Sequence, residues 1–331
     1  MKRRAFIRMV GGAGLSAISL ERLLADVKPA DDITKRVQGL PYRKLGRTGA
    51  EISIIGFPGL ALMREDQTSS DQAVRHAFDR GLNYYDVAPA YGRDGECEIK
   101  LGTALQQLKR DDYFLSCKTK ARDKDGAKQE LDCSLQRLKT DHFDLYQLHH
   151  VVTPEDTRKA FGPGGAMETL LQARKEGKVK WLGFSAHSTQ GALTALQNHD
   201  FDTVMFPVSF ADYYLRDFSR DVLALAEQKG AAVIAIKPMS MGAWPEGVKR
   251  TREWWYRTTE TPEEISLSLR FSLSMRGVVT GIPPSFVDLL DKAITAANSY
   301  KPATSNDREE LRELATSCEA LFTREDNLGN A

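Results

Sequence analysis

A carboxylate, a phenol, an ammonium and an imidazole stand at the ends of successive apolar runs in this chain. Residues 83–87 (Asn-Tyr-Tyr-Asp-Val) read as a buried strand that stops at a turn, leaving Asp86 and Tyr91 at its exit. About one strand–helix unit later, residues 113–117 form another apolar run that ends at Lys118. The next such run, residues 145–149, ends with His149. A free phenol ionises near about pH 10, too high for easy proton donation at neutral pH. A neighbouring ammonium stabilises the phenolate and makes the phenol a usable acid. Lys118 can supply that charge, Asp86 can fix Lys118 and keep it protonated, and His149 can hydrogen-bond a carbonyl or relay a proton. Such a set suits protonation of a carbonyl oxygen while hydride arrives from a cofactor. Singly, each residue has an ordinary explanation, as a half-buried aromatic, a turn cap, a solvated strand end or a core histidine. Their order at consecutive strand ends is what favours chemistry.

Elements must bring these residues together, and the rest of the chain alternates accordingly. Apolar runs at 52–57, 83–87, 113–117, 145–149, 181–185, 203–208, 232–236 and 277–282 read as strands. Between them, apolar positions recur at helical spacing over 70–80, 97–108, 130–138, 167–176, 190–197, 221–229, 262–274 and 286–297. Ser70 is expected to cap one helix, and Gly81 and Gly230 to end two others. Thr261-Pro262-Glu263-Glu264 carries a cap, a proline at the first helical position and first-turn acids. Residues 42–53 predict a hairpin turning at Gly46-Arg47-Thr48-Gly49, and residues 307–322 an extra amphipathic helix. About eight strands alternating with about eight helices indicate a parallel sheet, for which a closed (β/α)8 TIM barrel is the natural solution at this size. An open doubly wound sheet is the rival. It would call for a G-x-G-x-x-G after the first strand, which is absent.

With Lys and Arg totalling 46 against 45 for Asp and Glu, no basic excess points to nucleic acid. Cys97, Cys117, Cys133 and Cys318 lie far apart, without a CxxC or a Cys/His cluster of zinc spacing, so no metal site is expected. That spacing leaves disulfides open. The N-terminus stands out. Lys2-Arg3-Arg4-Ala5-Phe6-Ile7-Arg8 precedes a Gly/Ala/Ser-rich, mildly apolar stretch to Leu20, and the whole resembles a twin-arginine export signal. The stretch is too short and glycine-rich for stable membrane insertion. The division expected is an export signal and linker at 1–30 and one barrel domain at 31–331, with a polar linker over 26–39. The partner implied is the twin-arginine export machinery, and the destination the periplasm; a leader that does not function would leave the protein in the cytoplasm. No heptads or large apolar stripe stand out, which suits a monomer.

Over residues 42–297 the chain resembles the aldo-keto reductase family. The likeness rests on Tyr42-Arg43-Lys44-Leu45-Gly46-Arg47-Thr48-Gly49, Ile55-Gly56-Phe57 and Tyr85-Asp86-Val87-Ala88-Pro89-Ala90-Tyr91-Gly92. Also matching are Glu98, Leu101-Gly102, Lys118-Thr119, Asp144-Leu145-Tyr146-Gln147-Leu148-His149, Gly183-Phe184-Ser185 and Lys237-Pro238-Met239. The resemblance implies a (β/α)8 barrel that transfers hydride between NADP(H) and the carbonyl of an aldehyde, ketone or sugar-derived substrate. It implies a catalytic tetrad of Asp86, Tyr91, Lys118 and His149, with Tyr91 as acid/base. It also implies cofactor contacts from Gly56, Phe57, Ser185, Lys237, Ile282 and Ser285, with Ser185 on the nicotinamide carboxamide.

The cofactor half departs from the family pattern. Ala186 stands where an Asn usually follows Ser185, Pro207 where a Gln is usual, and Ile236 or Lys237 where an aromatic often stacks on nicotinamide. A glycine expected in the first strand–helix turn is Pro58. No Lys or Arg follows the eighth strand to hold the 2′-phosphate of NADP; only Lys292 lies further along. NAD(H) is therefore the alternative cofactor. Two further readings stay open: a ligand-binding barrel that has lost redox activity, or a cofactor-independent lyase or hydrolase. Ser285 reads equally as a pyrophosphate ligand at a helix N-terminus or as an ordinary helix cap. His187 reads as a residue at the start of a surface helix rather than a second substrate contact. Trp244, Trp254, Trp255 and Tyr256 form either a substrate wall or the packing of a long loop.

Overall fold

Parallel strands buried on both faces need near-continuous apolar sequence, and the chain supplies it. The structure is a computed structural model that describes residues 32–322. The expected export signal lies outside the described residues. Eight parallel strands pair in chain order: β4 (Phe57–Pro58), β5 (Tyr84–Asp86), β6 (Phe114–Thr119), β7 (Phe143–Val151), β8 (Val179–Ala186), β9 (Thr203–Pro207), β10 (Ala232–Ile236) and β11 (Val278–Ile282). The ends meet where Ile55 bridges Gly281: Gly56 N–H donates to Gly281 O at 3.0 Å and Gly281 N–H to Ile54 O at 2.9 Å. The sheet is thus a nearly closed barrel ringed by helices, and not an open doubly wound sheet.

Three short antiparallel strands precede it: β1 (Lys35–Val37), β2 (Leu40–Lys44) and β3 (Glu51–Ser53). The β2–β3 hairpin turns at 46–49 as expected, pairing Tyr42 with Ser53. Its Leu45 and Ile52 pack on Tyr84, Phe114, Leu145 and Ala232, near the starts of barrel strands, and so plug the end opposite the site. The linker expected over 26–39 contains β1. Gln38 and Gly39, both at positive φ, make the tight turn that lets Lys35 pair with Tyr42. The first apolar run, 52–57, is divided between β3 and a barrel strand of only two residues, because an apolar run does not say which sheet it joins.

Caps explain most helix boundaries. Thr261 forms a capping box with Glu264, and Gly230 ends Arg220–Lys229 in the left-handed conformation. The first helix, Gln67–Asp79, is capped by Asp66 rather than Ser70, because the Asp66 side chain accepts from Ser69 N–H at 2.7 Å. The helix expected over 130–138 starts earlier, at Lys124, behind the Asp123 cap. Two short helices, Pro154–Phe161 and Phe210–Arg216, lie outside the segments marked by periodicity. They follow β7 and β9, behind the caps Thr153 and Ser209. The extra C-terminal helix is Ser305–Ala315. Beyond it the chain returns to the barrel, where Leu321 and Phe322 N–H donate to Asp212 Oδ1 at 2.6 and 2.9 Å. No helix among the described residues is long and apolar enough to cross a membrane.

Candidate active site

In a barrel of this kind the strand ends and the loops after them face one cleft. Asp86 is the last residue of β5, and Lys118 points inward from β6 with no exposed surface. Lys118 Nζ donates to Asp86 Oδ2 at 2.5 Å, to Val87 O at 3.1 Å and to Tyr91 Oη at 3.3 Å. Ser116 donates to Asp86 Oδ1 at 3.1 Å and itself accepts from Gln147 Nε2 at 2.9 Å, so the carboxylate is anchored from inside the barrel. The Tyr91 ring meets the His149 ring edge-on, with centroids 5.7 Å apart. The structure therefore brings Asp86, Tyr91, Lys118 and His149 into one cluster.

The electrostatics follow from burial and pairing. Burial alone would push Lys118 down, but Asp86 and then Tyr91 outweigh it and hold the ammonium above its ordinary range. Burial raises the Asp86 carboxyl against the pull of Lys118 and Ser116. Burial also raises the Tyr91 phenol more than Lys118 lowers it, so the phenol sits above, not below, its usual range. The group is thus kept protonated, with its stabilising cation already in place. His149 is pushed well below the usual histidine range by burial, then by Lys118 and Lys120, so its imidazole is neutral. Its Nδ1 is buried without a hydrogen-bond partner, which leaves Nε2 as the nitrogen for a ligand.

Around this cluster opens a cleft of about 560 Å³. Ser185, Lys237, Ile282 and Ser285 line it. Ser185 Oγ accepts from His150 N–H at 2.8 Å, leaving its hydroxyl proton free for a ligand. Phe286, not Ser285, is the N-cap of Val287–Asn298, and it makes no side-chain cap bond. Gly56 and Phe57 do not line the cleft. A Cβ at Gly56 would meet Ile282 and Tyr84 at 2.5 and 2.6 Å, and Phe57 is fully buried, its ring 5.4 Å from Tyr85. Both pack the barrel wall. The cleft is lined instead by Pro58 and Gly59. The glycine expected at 58 stands one residue later, where a Cβ would lie 2.4 Å from Asp86 O.

His150 was not anticipated in the cleft, and the sequence allows two readings each of His187 and the tryptophan loop. His187 is in the cleft, with Nε2 3.3 Å from Lys237 Nζ, and it is Ser188 that caps the following helix. His150 reaches the cleft beside His149 because the register of β7 slips between Leu148 and Val151 and His150 adopts φ +58°. Strand alternation would have pointed one of the two away. Trp254, Trp255 and Tyr256 form one wall, and Trp244 braces it by donating to Trp254 O at 2.9 Å. Arg252, in the same loop, grips Asp288 through Nη1 at 3.0 Å and Nη2 at 2.5 Å and reaches Glu260 at 2.9 Å.

The profile of the Aldo/keto reductase family matches residues 56–317. L-galactose dehydrogenase of Arabidopsis thaliana is 28% identical over 227 residues, covering 62% of this chain and 68% of that protein. The 6-dehydroglucose reductase of Novosphingobium aromaticivorans is 32% identical over 174 residues, covering 48% of this chain and 55% of that protein. The aldo-keto reductase AKR11C1 from Bacillus halodurans, in its holo form, superposes with a TM-score of 0.70 at 23% identity, covering 88% of this chain and 100% of that one, a likeness of fold. With the profile spanning most of the chain and the barrel gathering Asp86, Tyr91, Lys118 and His149 at its strand ends, this protein belongs to the aldo/keto reductase family and is an oxidoreductase of that family.

Proposed function

We propose that the chain moves hydride between a nicotinamide dinucleotide and the carbonyl carbon of a small aldehyde, ketone or sugar-derived substrate, with Tyr91 as the acid/base. The observation that carries this reading is Lys118 Nζ held between Asp86 Oδ2 and Tyr91 Oη. The residues present fit such a cofactor. Ser185 offers a free hydroxyl proton to a carboxamide, Lys237 and Ser285 stand along the cleft, and Gly59 keeps its wall thin. The bound dinucleotide would supply or accept the hydride. Everything else falls to side chains of this chain.

In the reducing direction, His149 Nε2 and the Tyr91 hydroxyl converge on the substrate oxygen and orient it. As negative charge grows on that oxygen, Tyr91 gives up its proton. The phenolate left behind lies 3.3 Å from the Lys118 ammonium, which Asp86 keeps in place. Burial removes water that would otherwise screen this stabilisation. Trp254 and Trp255 would supply the apolar wall against the rest of the substrate.

Family resemblance points to NADP(H), while Arg252 and Lys292, the basic groups bonded beside the segment after β11, are already engaged. Arg252 is held by Asp288 and Glu260, and Lys292 donates to Glu260 O at 3.2 Å. A 2′-phosphate seated on Arg252 would have to displace a carboxylate, which favours NAD(H). Export by the twin-arginine route remains a proposal resting on the leader sequence. The deciding experiment is a fluorescence titration of the protein with NADH and with NADPH, followed by turnover of a carbonyl panel with the tighter binder. Saturable binding and carbonyl-dependent loss of reduced nucleotide are expected. A folded protein that binds neither nucleotide would overturn the reading in favour of a ligand-binding barrel or a cofactor-independent enzyme.

A further inference from the structure

Two buried lysines, Lys118 behind the cleft and Lys237 on its wall, stand in opposite environments. Lys118 is paired with a carboxylate and stays an ammonium. Lys237, just past the end of β10, is only 6% exposed, lines the same cleft, and has no ion pair with a carboxylate among the described residues. The nearest acid with electrostatic influence on it is Asp212. That carboxylate is already occupied by the backbone N–H groups of Leu321 and Phe322 and by the Ser209 hydroxyl at 2.7 Å. Lys237 Nζ lies over two aromatic faces, 4.8 Å from the Trp255 ring centre and 5.2 Å from that of Phe322, contacts that attract an ammonium but supply no counter-charge. Among the described residues its one polar partner is His187 Nε2 at 3.3 Å. The other charged and titratable groups facing His187 are His150, with ring centres 4.8 Å apart, then His149 and Lys120, none of them an acid.

Burial without a carboxylate partner among the described residues disfavours the ammonium, and Lys237 is pushed down to about 7 by burial, with Asp212 opposing. The backbone at Lys237 also adopts φ +58°, a costly conformation for a lysine, which places the residue at the cleft wall. A desolvated neutral amine facing a carbonyl-binding cleft is a nucleophile.

We infer that Lys237 captures carbonyl compounds as a reversible imine, an amine chemistry separate from hydride transfer, with His187 as its proton carrier. The inference rests on the carbonyl-substrate reading above but not on its redox step. The neutral Nζ attacks the carbonyl carbon, a C–N bond forms, and the C=O π pair moves onto oxygen. His187 Nε2 takes a proton from the nitrogen and returns it to that oxygen, giving a carbinolamine. A second proton follows the same path, the C–O bond breaks, and water leaves as the nitrogen lone pair forms C=N. Carbonyl plus amine thus gives imine plus water, with no oxidant or reductant consumed.

The test uses the full chain without nucleotide, incubated at pH 7 with propanal and sodium cyanoborohydride, and maps alkylated lysines by peptide mass spectrometry. Lys237 is expected to be labelled at least about tenfold faster than the exposed Lys128, because far more of it is neutral at this pH. Lys237→Met should remove the fast label, and His187→Gln should slow it while leaving its position unchanged. Labelling of Lys237 no faster than of Lys128 in the folded wild type overturns the inference, whether or not Lys237→Met folds. The inference also fails if Lys237 stays unlabelled while inorganic phosphate binds in the cleft, which would make the residue an anion holder. Failure of the redox reading appears separately, as absence of nucleotide binding.

Discussion

Lys118 Nζ lies 3.3 Å from Tyr91 Oη, with its ammonium fully buried and pinned on the other side by Asp86. A phenol in that position is neutral in the resting site, since burial raises it, yet its conjugate base has a cation waiting. Removing the hydroxyl alone should therefore lower kcat by about 10²–10⁴-fold in Tyr91→Phe. Dinucleotide affinity and thermal midpoint should stay near wild type, because the ring packing against His149 remains. Near-normal turnover in this variant would remove Tyr91 from the mechanism.

The Lys118–Asp86 pair also carries a stability cost when broken. Lys118→Met leaves the Asp86 carboxylate buried without its ammonium and should destabilise by about 3–5 kcal/mol. The double variant Lys118→Met/Asp86→Asn leaves no lone charge and should recover a good part of that loss. Urea unfolding of the two single variants and the double tests the coupling. Additive losses would show that the pair does not act as a unit.

Stability should fall on acidification from neutral pH. Burial holds His149 and His187 well below the ordinary histidine range, so the folded chain keeps them neutral. The unfolded chain takes up protons on both below about pH 6.5, so it binds more protons than the folded state there and unfolding is favoured. Lys237 acts in the same direction at higher pH, costing stability as pH falls from 10.5 towards about 7. Urea midpoints measured at pH 8, 6.5 and 5 should decrease in that order. His149→Gln should flatten the step between the last two.

The grip of Arg252 on Asp288 decides how a 2′-phosphate would be received. In Asp288→Ala the guanidinium keeps Glu260 but gains a free edge for an anion. NADPH should bind several-fold tighter in this variant, by about 1 kcal/mol, with NADH little changed. Equal effects on both nucleotides would place the 2′-position elsewhere.

Gly59→Ala tests how tightly the cleft wall is built. Its Cβ would sit 2.4 Å from the Asp86 carbonyl oxygen, which is backbone and cannot swing aside. The residue after it must move, and Asp86 with it. The expected result is a loss of about 1–3 kcal/mol in stability together with a drop in kcat larger than any change in KM. A variant with wild-type kcat would show that Asp86 tolerates the shift.

The alternation of apolar runs with helical periods made the barrel legible from sequence, because strand and helix periods are local. The same locality exposed Asp86, Tyr91, Lys118 and His149, since each ends or closely follows a strand run and strand ends share one face. Thr261 and Gly230 were readable for the same reason: a cap depends on residues within one turn. Non-local choices were not readable. The division of residues 52–57 between a hairpin strand and a barrel strand depends on which sheet offers partners. The place of His150 in the cleft depends on a register slip against β8, and that of His187 on a lysine fifty residues later in the chain. The environment of Lys237, buried and without a carboxylate partner among the described residues, is built from the ends of β8 and β10, the tryptophan loop and Phe322. Residue types and their periods set which groups stand at the strand ends. Burial and pairing across distant segments set their charge states, and only the folded chain decides those.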